Sequence, residues 1–248
     1  MKRYALRLFQ CLLTVLLFVP MSQVCTGGVG WAQTLARMNT AIVGGGVPAA
    51  GVPCDDTSGM IIAEDAEGEG TPSGWADEGT GTKDWDYTTT ALRGNQSLYL
   101  SGTSAARTTY TFSGEAEIWG HFLYRIGTVA DWDIIFYGGD GTEYYVRFAG
   151  TDGTIRQVCG GDGLSSSANT IVADTTYHIW YHITAGSGTG SCYLYVGTST
   201  TRPASPTISQ TGKTISNITA IQARSENTNV HIFDQIRVSD AEFTTVCD

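Results

Sequence analysis

The sequence predicts an all-β fold, a two-sheet antiparallel jelly-roll sandwich. From residue 58 onward, apolar and polar residues alternate with the period of two that half-buried strands show. Gly, Asp, Ser and Thr interrupt this alternation at short intervals and supply the backbone conformations that turns need. No stretch beyond residue 58 keeps the 3.6-residue apolar period of a helix for three turns. About a dozen short antiparallel strands in one domain are typical of such a sandwich.

The chain divides into three predicted parts. A short basic stretch precedes an apolar run that ends at Pro20, which is the pattern of a secretory signal peptide. We therefore predict a signal peptide over residues 1–32, cleaved near Ala32, and a mature form that is secreted or at the cell surface and does not span a membrane. The alternative is a retained membrane anchor, although the run is shorter than the roughly 20 apolar residues that a spanning helix needs. Residues 33–57 form a Gly/Ala/Pro-rich leader, and residues 58–248 form the jelly-roll domain.

Composition restricts the possible partners. The 248 residues carry a formal charge of −10, with a pI near 4.7. Such an acidic chain lacks the positive surface that a phosphate backbone requires, so nucleic acid is not expected as a partner. Hydrophobic residues make up 42% of the chain, enough to build a core.

Alternation places the strands and their inward faces. In chain order, the predicted strands are Met60–Glu64, Ser97–Ser101, Thr108–Phe112, Glu115–Ile126, Trp132–Tyr137, Glu143–Ala149, Thr154–Cys159, Asn169–Ala173, Tyr177–Thr184, Ser191–Val196, Ile218–Arg224 and Val230–Ser239. A half-buried sheet segregates its two faces. Three strands are predicted to turn one set inward: Ile118, Phe122, Tyr124 and Ile126; Tyr177, Ile179, Tyr181 and Ile183; Ile232, Ile236 and Val238. The residues between them, including all four histidines (His121, His178, His182 and His231), are predicted to face outward.

Four cysteines remain after removal of the signal peptide, and four cysteines allow three pairings. Cys54 precedes the first predicted strand and Cys247 follows the last one. If those terminal strands pair antiparallel, the two cysteines meet at one end of the ladder. We therefore expect a Cys54–Cys247 disulfide and, by elimination, a Cys159–Cys192 disulfide, in keeping with an oxidising compartment.

Several segments resemble one superfamily. The run Glu64–Trp75 resembles the acidic first strand and Gly-Trp turn of many concanavalin A-like domains. Tyr177–Ile183 and Gly190–Val196 resemble the paired W-Y-H and L-Y-V-D-G strands of laminin-G-like modules, and Phe233–Ser239 is similar to their closing D-D-V-R-V strand. The resemblance covers residues 60–240 in the expected order. It implies a secreted sandwich that often binds glycans or proteins, often with Ca²⁺, and sometimes hydrolyses β-glucans.

The hydrolases of this superfamily carry two carboxylates in an E-x-D-x-E or E-x-D-x-x-E strand, because both must flank the glycosidic bond. The nearest match keeps Asp131 and Asp133 but places Ile135 or Phe136 where the acid/base belongs. An apolar side chain cannot protonate the leaving oxygen. We therefore expect no enzymatic activity, and a divergent glycoside hydrolase is the less favoured alternative.

Turns rich in Asp and Gly offer oxygen ligands of the kind that Ca²⁺ takes, and the candidates are Asp140, Glu143 and Asp152. Ordinary Asp-Gly turn chemistry also explains them. The four histidines offer a less favoured zinc site.

Aromatic and imidazole side chains on the outward faces give the candidate ligand-binding site: Trp119, His178, Trp180, His182 and Phe233. Exposed rings suit sugars, whose apolar C–H faces stack on π surfaces. The competing interpretation is a second hydrophobic layer, packed under long loops such as 76–96.

Taken together, the sequence favours an exported, non-catalytic binding or adhesion module whose partner is a glycan or a cell-surface protein, with carbohydrate preferred. The alternative is a structural subunit of an extracellular or virion-associated assembly, which would self-associate.

Overall fold

The structure is a computed structural model, and it describes residues 59–102, 105–130, 133–138 and 143–246. The chain divides into two units, Met1–Val47 and Pro48–Asp248, and every described residue belongs to the second. The predicted signal peptide and leader lie outside the described residues. In the part of the chain that the structure describes, no helix is long and apolar enough to cross a membrane.

The described residues form β-strands joined by turns. Their bounds are β1 Met60–Glu64, β2 Trp75–Glu78, β3 Thr82–Tyr87, β4 Ser97–Ser101, β5 Ala106–Glu115, β6 Glu117–Ile126, β7 Ile134–Gly138, β8 Tyr144–Phe148, β9 Ile155–Cys159, β10 Asp162–Ser165, β11 Tyr177–Thr184, β12 Gly186–Gly197, β13 Ile208–Ile215, β14 Ile218–Ser225 and β15 His231–Ser239.

These strands build two antiparallel sheets. Sheet A has the order β13-β12-β11-β6-β15-β4-β3, and β1 also pairs with β15. Sheet B has the order β10-β9-β8-β7-β14-β5-β2. Most neighbours in space are distant in sequence, as in a jelly roll and unlike a meander. The predicted all-β, two-sheet antiparallel sandwich is therefore confirmed.

Aromatic rings from both sheets meet in the core. Phe122 of sheet A and Phe136 of sheet B have ring centroids 5.4 Å apart, and Tyr181 of sheet A lies 4.6 Å from Phe136. A Cβ atom at Gly120 would lie 1.9 Å from the Tyr181 ring, so only glycine lets that ring cross the neighbouring strand. The inward sets predicted on β6 and β11 are all buried.

Local sequence missed some strands and predicted one that is absent. β2, β3, β10 and β13 are short or rich in polar residues and glycine, so their alternation is weak. The predicted strand Asn169–Ala173 is a turn instead. Asn169 has a positive φ of 56°, and its amide donates to the Asp152 carbonyl, which folds the segment back on the β8–β9 turn.

A β-bulge in β15 reverses which residues face the core. Before the bulge, Phe233 lies opposite Tyr124 and packs inside the sandwich; after it, Val238 lies opposite Gly120 and is again inside. Gln235 occupies the irregular position with a φ of 47°. Because a bulge adds one residue to one strand, it inverts the alternation across itself. The predicted outward positions of His231 and Phe233 are therefore wrong, and the predicted inward position of Ile232 is wrong as well.

A disulfide joins the two sheets near one edge. Cys159 ends β9 of sheet B, Cys192 lies on β12 of sheet A, and their Cα atoms are 6.1 Å apart. This is one of the two expected disulfides. Cys54 and Cys247 lie outside the described residues, so the second pairing stays a prediction.

Candidate functional site

The outer face of sheet A carries most of the predicted ligand-binding residues, but Trp180, the central one, is buried there. Trp180 is only 1% exposed. Its ring lies 4.4 Å from the His121 ring on β6 and 5.4 Å from the Phe243 ring, which follows β15. Phe233, fully buried in the core, takes no part in this face. The expectation that Trp180 and Phe233 form an exposed ring surface is therefore wrong.

The C-terminal segment, residues 240–246, covers this face by pairing with the loop that follows β12. The Arg202 amide donates to the Thr244 carbonyl at 2.8 Å, and the Val246 amide donates to the Thr200 carbonyl at 3.0 Å. The Arg202 guanidinium forms an ion pair with Glu242. That guanidinium lies 4.6 Å from the Trp119 ring centroid, where a cation is attracted to the π face. The burial of Trp180 fits the competing interpretation from the sequence, in which these rings form a second hydrophobic layer.

Three rings remain partly exposed beside the covered layer. Trp119 stacks on His182 with centroids 3.6 Å apart, and His182 stacks on Tyr193 at 5.4 Å. His182 Nε2 lies 2.8 Å from a carboxylate oxygen of Glu117. Burial lowers the pKa of His182, and the Glu117 carboxylate opposes that shift in part. The structure thus brings Trp119 and His182 together, with the Arg202 guanidinium already seated on the tryptophan.

His178 pairs with His121 under the same layer. His121 Nε2 and His178 Nδ1 are 3.0 Å apart, and both residues are buried. Burial, followed by the neighbouring His178, lowers the pKa of His121 well below its usual value, which keeps the ring neutral. Within the described residues no group of three His, Cys, Asp or Glu side chains is placed to hold a metal ion.

His231 faces inward and anchors the buried carboxylate of Asp133. His231 Nε2 lies 2.7 Å from Asp133 Oδ2, and the other ring nitrogen lies 2.9 Å from the Tyr124 hydroxyl. Asn229 and the Glu226 amide also donate to Asp133. Burial alone would raise the pKa of Asp133, but these hydrogen bonds and the nearby imidazole together lower it.

This network bears on the hydrolase motif. Asp133 is the described member of the candidate carboxylate pair, and its side chain is fully buried and occupied by donors. A carboxylate in that position cannot reach a glycosidic bond on the surface. Asp131 lies outside the described residues.

Two of the three predicted calcium ligands accept hydrogen bonds within turns, and the third lies outside the described residues. Glu143 accepts from the Ser216 amide at 2.6 Å and from its hydroxyl at 3.0 Å, which holds the β13–β14 turn. Asp152 accepts from the Thr154 amide at 3.0 Å, which is ordinary turn bonding. Asp140 lies outside the described residues, so calcium binding stays a prediction.

The outer face of sheet B holds a second aromatic surface, which the sequence analysis did not single out. Four residues lie directly opposite one another across four adjacent strands, and we call them the tyrosine row: Thr109, Gln222, Tyr137 and Tyr145. All four are half-buried. Because neighbouring strands lie about 4.8 Å apart, the row extends over about 14 Å.

Contacts within the tyrosine row fix its side chains. Gln222 Nε2 donates to the Thr109 hydroxyl at 2.9 Å, and the Tyr137 and Tyr145 rings have centroids 5.4 Å apart. The Arg224 guanidinium lies 5.1 Å from the Tyr137 ring centroid. Burial raises the pKa of Tyr137, so its phenol stays protonated at neutral pH. The row therefore presents two rings, an amide and a hydroxyl on one line.

Sequence reasoning missed this row because it assigned faces only to strands now seen in sheet A. The signal was present as alternation in β5 and β14, but not in β7, which reads Ile-Ile-Phe-Tyr-Gly. Alternation does not reveal which strands are neighbours, however, and the row exists only once β5, β14, β7 and β8 lie side by side.

Comparisons with known proteins identify the fold. No protein-family model matches the sequence, and no curated protein matches it. Among solved structures, a sialidase is 12% identical with a TM-score of 0.56, and the match covers 73% of this chain but 18% of the sialidase. The cellulose induced protein Cip1 is 14% identical with a TM-score of 0.57, covering 75% of this chain and 100% of Cip1. The exoplasmic/lumenal domain of VIP36, in its Ca²⁺/Man3GlcNAc-bound form, is 10% identical with a TM-score of 0.48, covering 77% and 91% of the two chains. At these identities the likeness shows the fold alone, an antiparallel β-sandwich of jelly-roll type.

Proposed function

We propose that this protein is an exported, non-catalytic carbohydrate-binding module that holds its ligand on the outer face of sheet B. The observation that carries the proposal is the tyrosine row, an uninterrupted line of two rings, an amide and a hydroxyl across four strands. These are the groups that a sugar chain needs from a protein surface.

The tyrosine row offers partners both for the apolar face and for the hydroxyl groups of a pyranose ring. The apolar C–H face of a sugar stacks on an aromatic ring, and its hydroxyls exchange hydrogen bonds with amides and hydroxyls. Tyr137 and Tyr145 supply the rings, while Gln222 and Thr109 supply the polar groups. Because these side chains already contact one another, little conformational entropy is lost when a ligand binds.

The other candidate surface is less suitable. On sheet A, Trp180 is buried under Phe243, and the Trp119 ring carries the Arg202 guanidinium. A ligand would have to displace the C-terminal segment before it reached Trp180, and the Arg202 guanidinium before it stacked on Trp119.

Two further features support the remaining parts of the proposal. The buried environment of Asp133 supports a binding role, because the hydrolase motif then offers no surface carboxylate from this residue. The Cys159–Cys192 disulfide and the predicted signal peptide support export, since disulfides persist in oxidising compartments.

Substitution of the two tyrosines tests the binding face. We expect Tyr137→Ala and Tyr145→Ala each to weaken glycan binding by about 1–3 kcal/mol, because a contact aromatic is removed. Binding is measured by glycan array and then by titration calorimetry on the best ligand.

Tyr99→Ala is the matched control. Tyr99 is also half-buried and packs on a neighbouring tyrosine, Tyr87, at 4.6 Å, but it lies on sheet A. Equal losses of affinity in the sheet A and sheet B variants would contradict the assignment of the site. Release of reducing ends from a bound glycan by the wild-type protein would contradict the non-catalytic role.

A further inference from the structure

Four arginines form a second line on the outer face of sheet B, beside the tyrosine row. Arg107 lies directly opposite Arg224, and Arg147 lies directly opposite Arg156. Each is two residues along its strand from the tyrosine row or its continuation, and all four are on the same side of it. Two strand residues span about 7 Å, so the two lines run side by side at that separation.

This placement brings positive charges together, and carboxylates offset two of them. Like charges directly opposite each other on antiparallel strands destabilise a sheet, and this face contains two such pairs. The chain as a whole carries a net charge of −10, so acidic residues are plentiful elsewhere. On this face Glu78 lies directly opposite Arg107, and Glu226 follows directly after β14.

The partners of these arginines leave hydrogen-bonding capacity unused. Arg107 pairs with Glu78 at 2.7 Å, and Arg224 pairs with Glu226. In the described part of the chain, the Arg156 side chain forms no hydrogen bond or ion pair. The Nε atoms of Arg107, Arg156 and Arg224 are buried and have no hydrogen-bond partner among the described residues. Arg147 is buried, and its guanidinium donates to the Phe148 carbonyl at 2.9 Å.

We propose that the ligand of this face is an acidic polysaccharide, with carboxylate or sulfate groups on its sugar rings. This inference rests on the proposed carbohydrate-binding function and names its substrate class. The rings of the polymer stack on the tyrosine row while its acidic groups lie along the arginines. Guanidinium groups suit this role because they bind carboxylate and sulfate oxygens through paired, charge-assisted hydrogen bonds.

The negative net charge of the protein makes the binding of an acidic polysaccharide selective for this face. A polyanion is repelled by most of an acidic surface, so it gains affinity only where local positive charge and sugar-binding groups coincide. A nucleic acid would meet the same repulsion without the pyranose faces that the tyrosines accept. An acidic glycan satisfies both lines of residues together.

A pair of matched polymers tests the proposal. We would titrate the full-length exported protein with polygalacturonate and with the same polymer after carboxyl reduction, and with dextran sulfate and dextran. At least one acidic polymer is expected to bind at least tenfold more tightly than its neutral counterpart. Its affinity should fall as salt rises, because salt screens the charges.

Arginine variants test whether the preference for the acidic polymer arises on this face. R107Q and R224Q are each expected to weaken binding of the acidic polymer about tenfold, because charged hydrogen bonds are lost. R107Q should leave any binding of the neutral polymer unchanged. R125Q is the control, since Arg125 also pairs with a carboxylate, Asp174, but lies on sheet A. Melting temperatures should change little, because removal of one arginine relieves a like-charge pair while it breaks an exposed ion pair.

Each contrary result has a distinct meaning. Equal affinity for an acidic polymer and its neutral form would overturn the acidic ligand and leave the carbohydrate-binding proposal standing. The same conclusion follows if Y137A weakens binding and the arginine variants do not. Binding of single-stranded DNA as tight as that of the acidic glycan would overturn the glycan class. Failure to bind any of the four polymers or the glycan array would overturn both proposals.

Discussion

Trp180 and Tyr137 both occupy outward positions on their strands, yet one ring is sealed and the other is half-exposed. Sequence alternation identified Trp180 as outward correctly, since it lies across from His121 on the outer face of sheet A. Alternation could not reveal Phe243, which comes from more than sixty positions further along the chain and covers the ring. A residue's face is thus a local property, whereas its exposure depends on what else folds onto that face.

The first prediction follows from this burial. We expect Trp180→Ala to destabilise the protein by about 3–5 kcal/mol, because it empties a packed site. Glycan affinity at pH 7 should stay unchanged for the fraction that remains folded. Denaturant unfolding and a glycan titration check the two statements. Trp119→Ala provides the comparison. Because Trp119 is partly exposed, its substitution should lower the free energy of unfolding less than that of Trp180 does. A loss of glycan affinity without a loss of stability would return the site to sheet A.

At the scale of single elements, period-two alternation predicted most strands but failed wherever a strand departs from regular geometry. In β15 it was correct after Gln235 and inverted before it, because one extra residue shifts the remainder to the opposite face. No sequence signal marked that position, since Gln is an uncommon residue at positive φ. Phe233 was therefore placed outside, although two neighbouring core rings surround it.

The C-terminal segment is the element that closes sheet A, and Phe243 is its apolar contact. We expect Phe243→Ala to cost about 2 kcal/mol of unfolding free energy, since the side chain is partly buried. Trp180 should then become accessible to acrylamide, with a red shift in tryptophan emission. Phe243→Leu, which retains most of the apolar contact, is the control. Identical quenching in the wild type and the alanine variant would show that the segment does not cover Trp180 in solution.

For the molecule as a whole, two buried ionisable groups set opposing dependences of stability on pH. Burial raises the pKa of Asp234 to about 7, although the Gln235 and Arg93 amides and the Ser97 hydroxyl donate to it. The folded state therefore binds a proton that the unfolded state releases above about pH 4, so this group adds stability as pH falls through 7. His121 has the opposite effect. Its lowered pKa means that the unfolded state binds a proton first, and stability is lost as pH falls below about 6.5.

Asp234→Asn separates these two contributions. Without the Asp234 carboxyl, the losses from His121 and His182 are no longer opposed by this group, so the variant should lose more stability than the wild type between pH 8 and pH 5. The difference between the two profiles should be on the order of a few kcal/mol. Urea unfolding at a series of pH values measures it. D240N, which changes an exposed aspartate just after β15, is the control. Parallel profiles for the wild type and D234N would rule out a buried, titrating Asp234.

The sequence predicted the sandwich and the Cys159–Cys192 pairing, but not the order of the strands. That order depends on contacts between distant segments, such as β14 between β5 and β7. The tyrosine row and the arginine line are products of the same order, because their members come from four separate strands each. Chemistry that a single segment carries can be predicted from sequence, whereas chemistry assembled across strands requires the topology.

The C-terminal segment also has a consequence for valency. If the ligand binds on sheet B as proposed, one copy of the described domain would hold one polymer strand, because the C-terminal segment covers Trp180 on sheet A. A monovalent protein coats a polysaccharide without cross-linking it, and it neither agglutinates particles nor gels a solution. Cross-linking would require a second copy or a tandem module, and each added face would raise avidity through effective concentration. An isolated copy would therefore decorate an acidic matrix and leave its mechanical network unchanged.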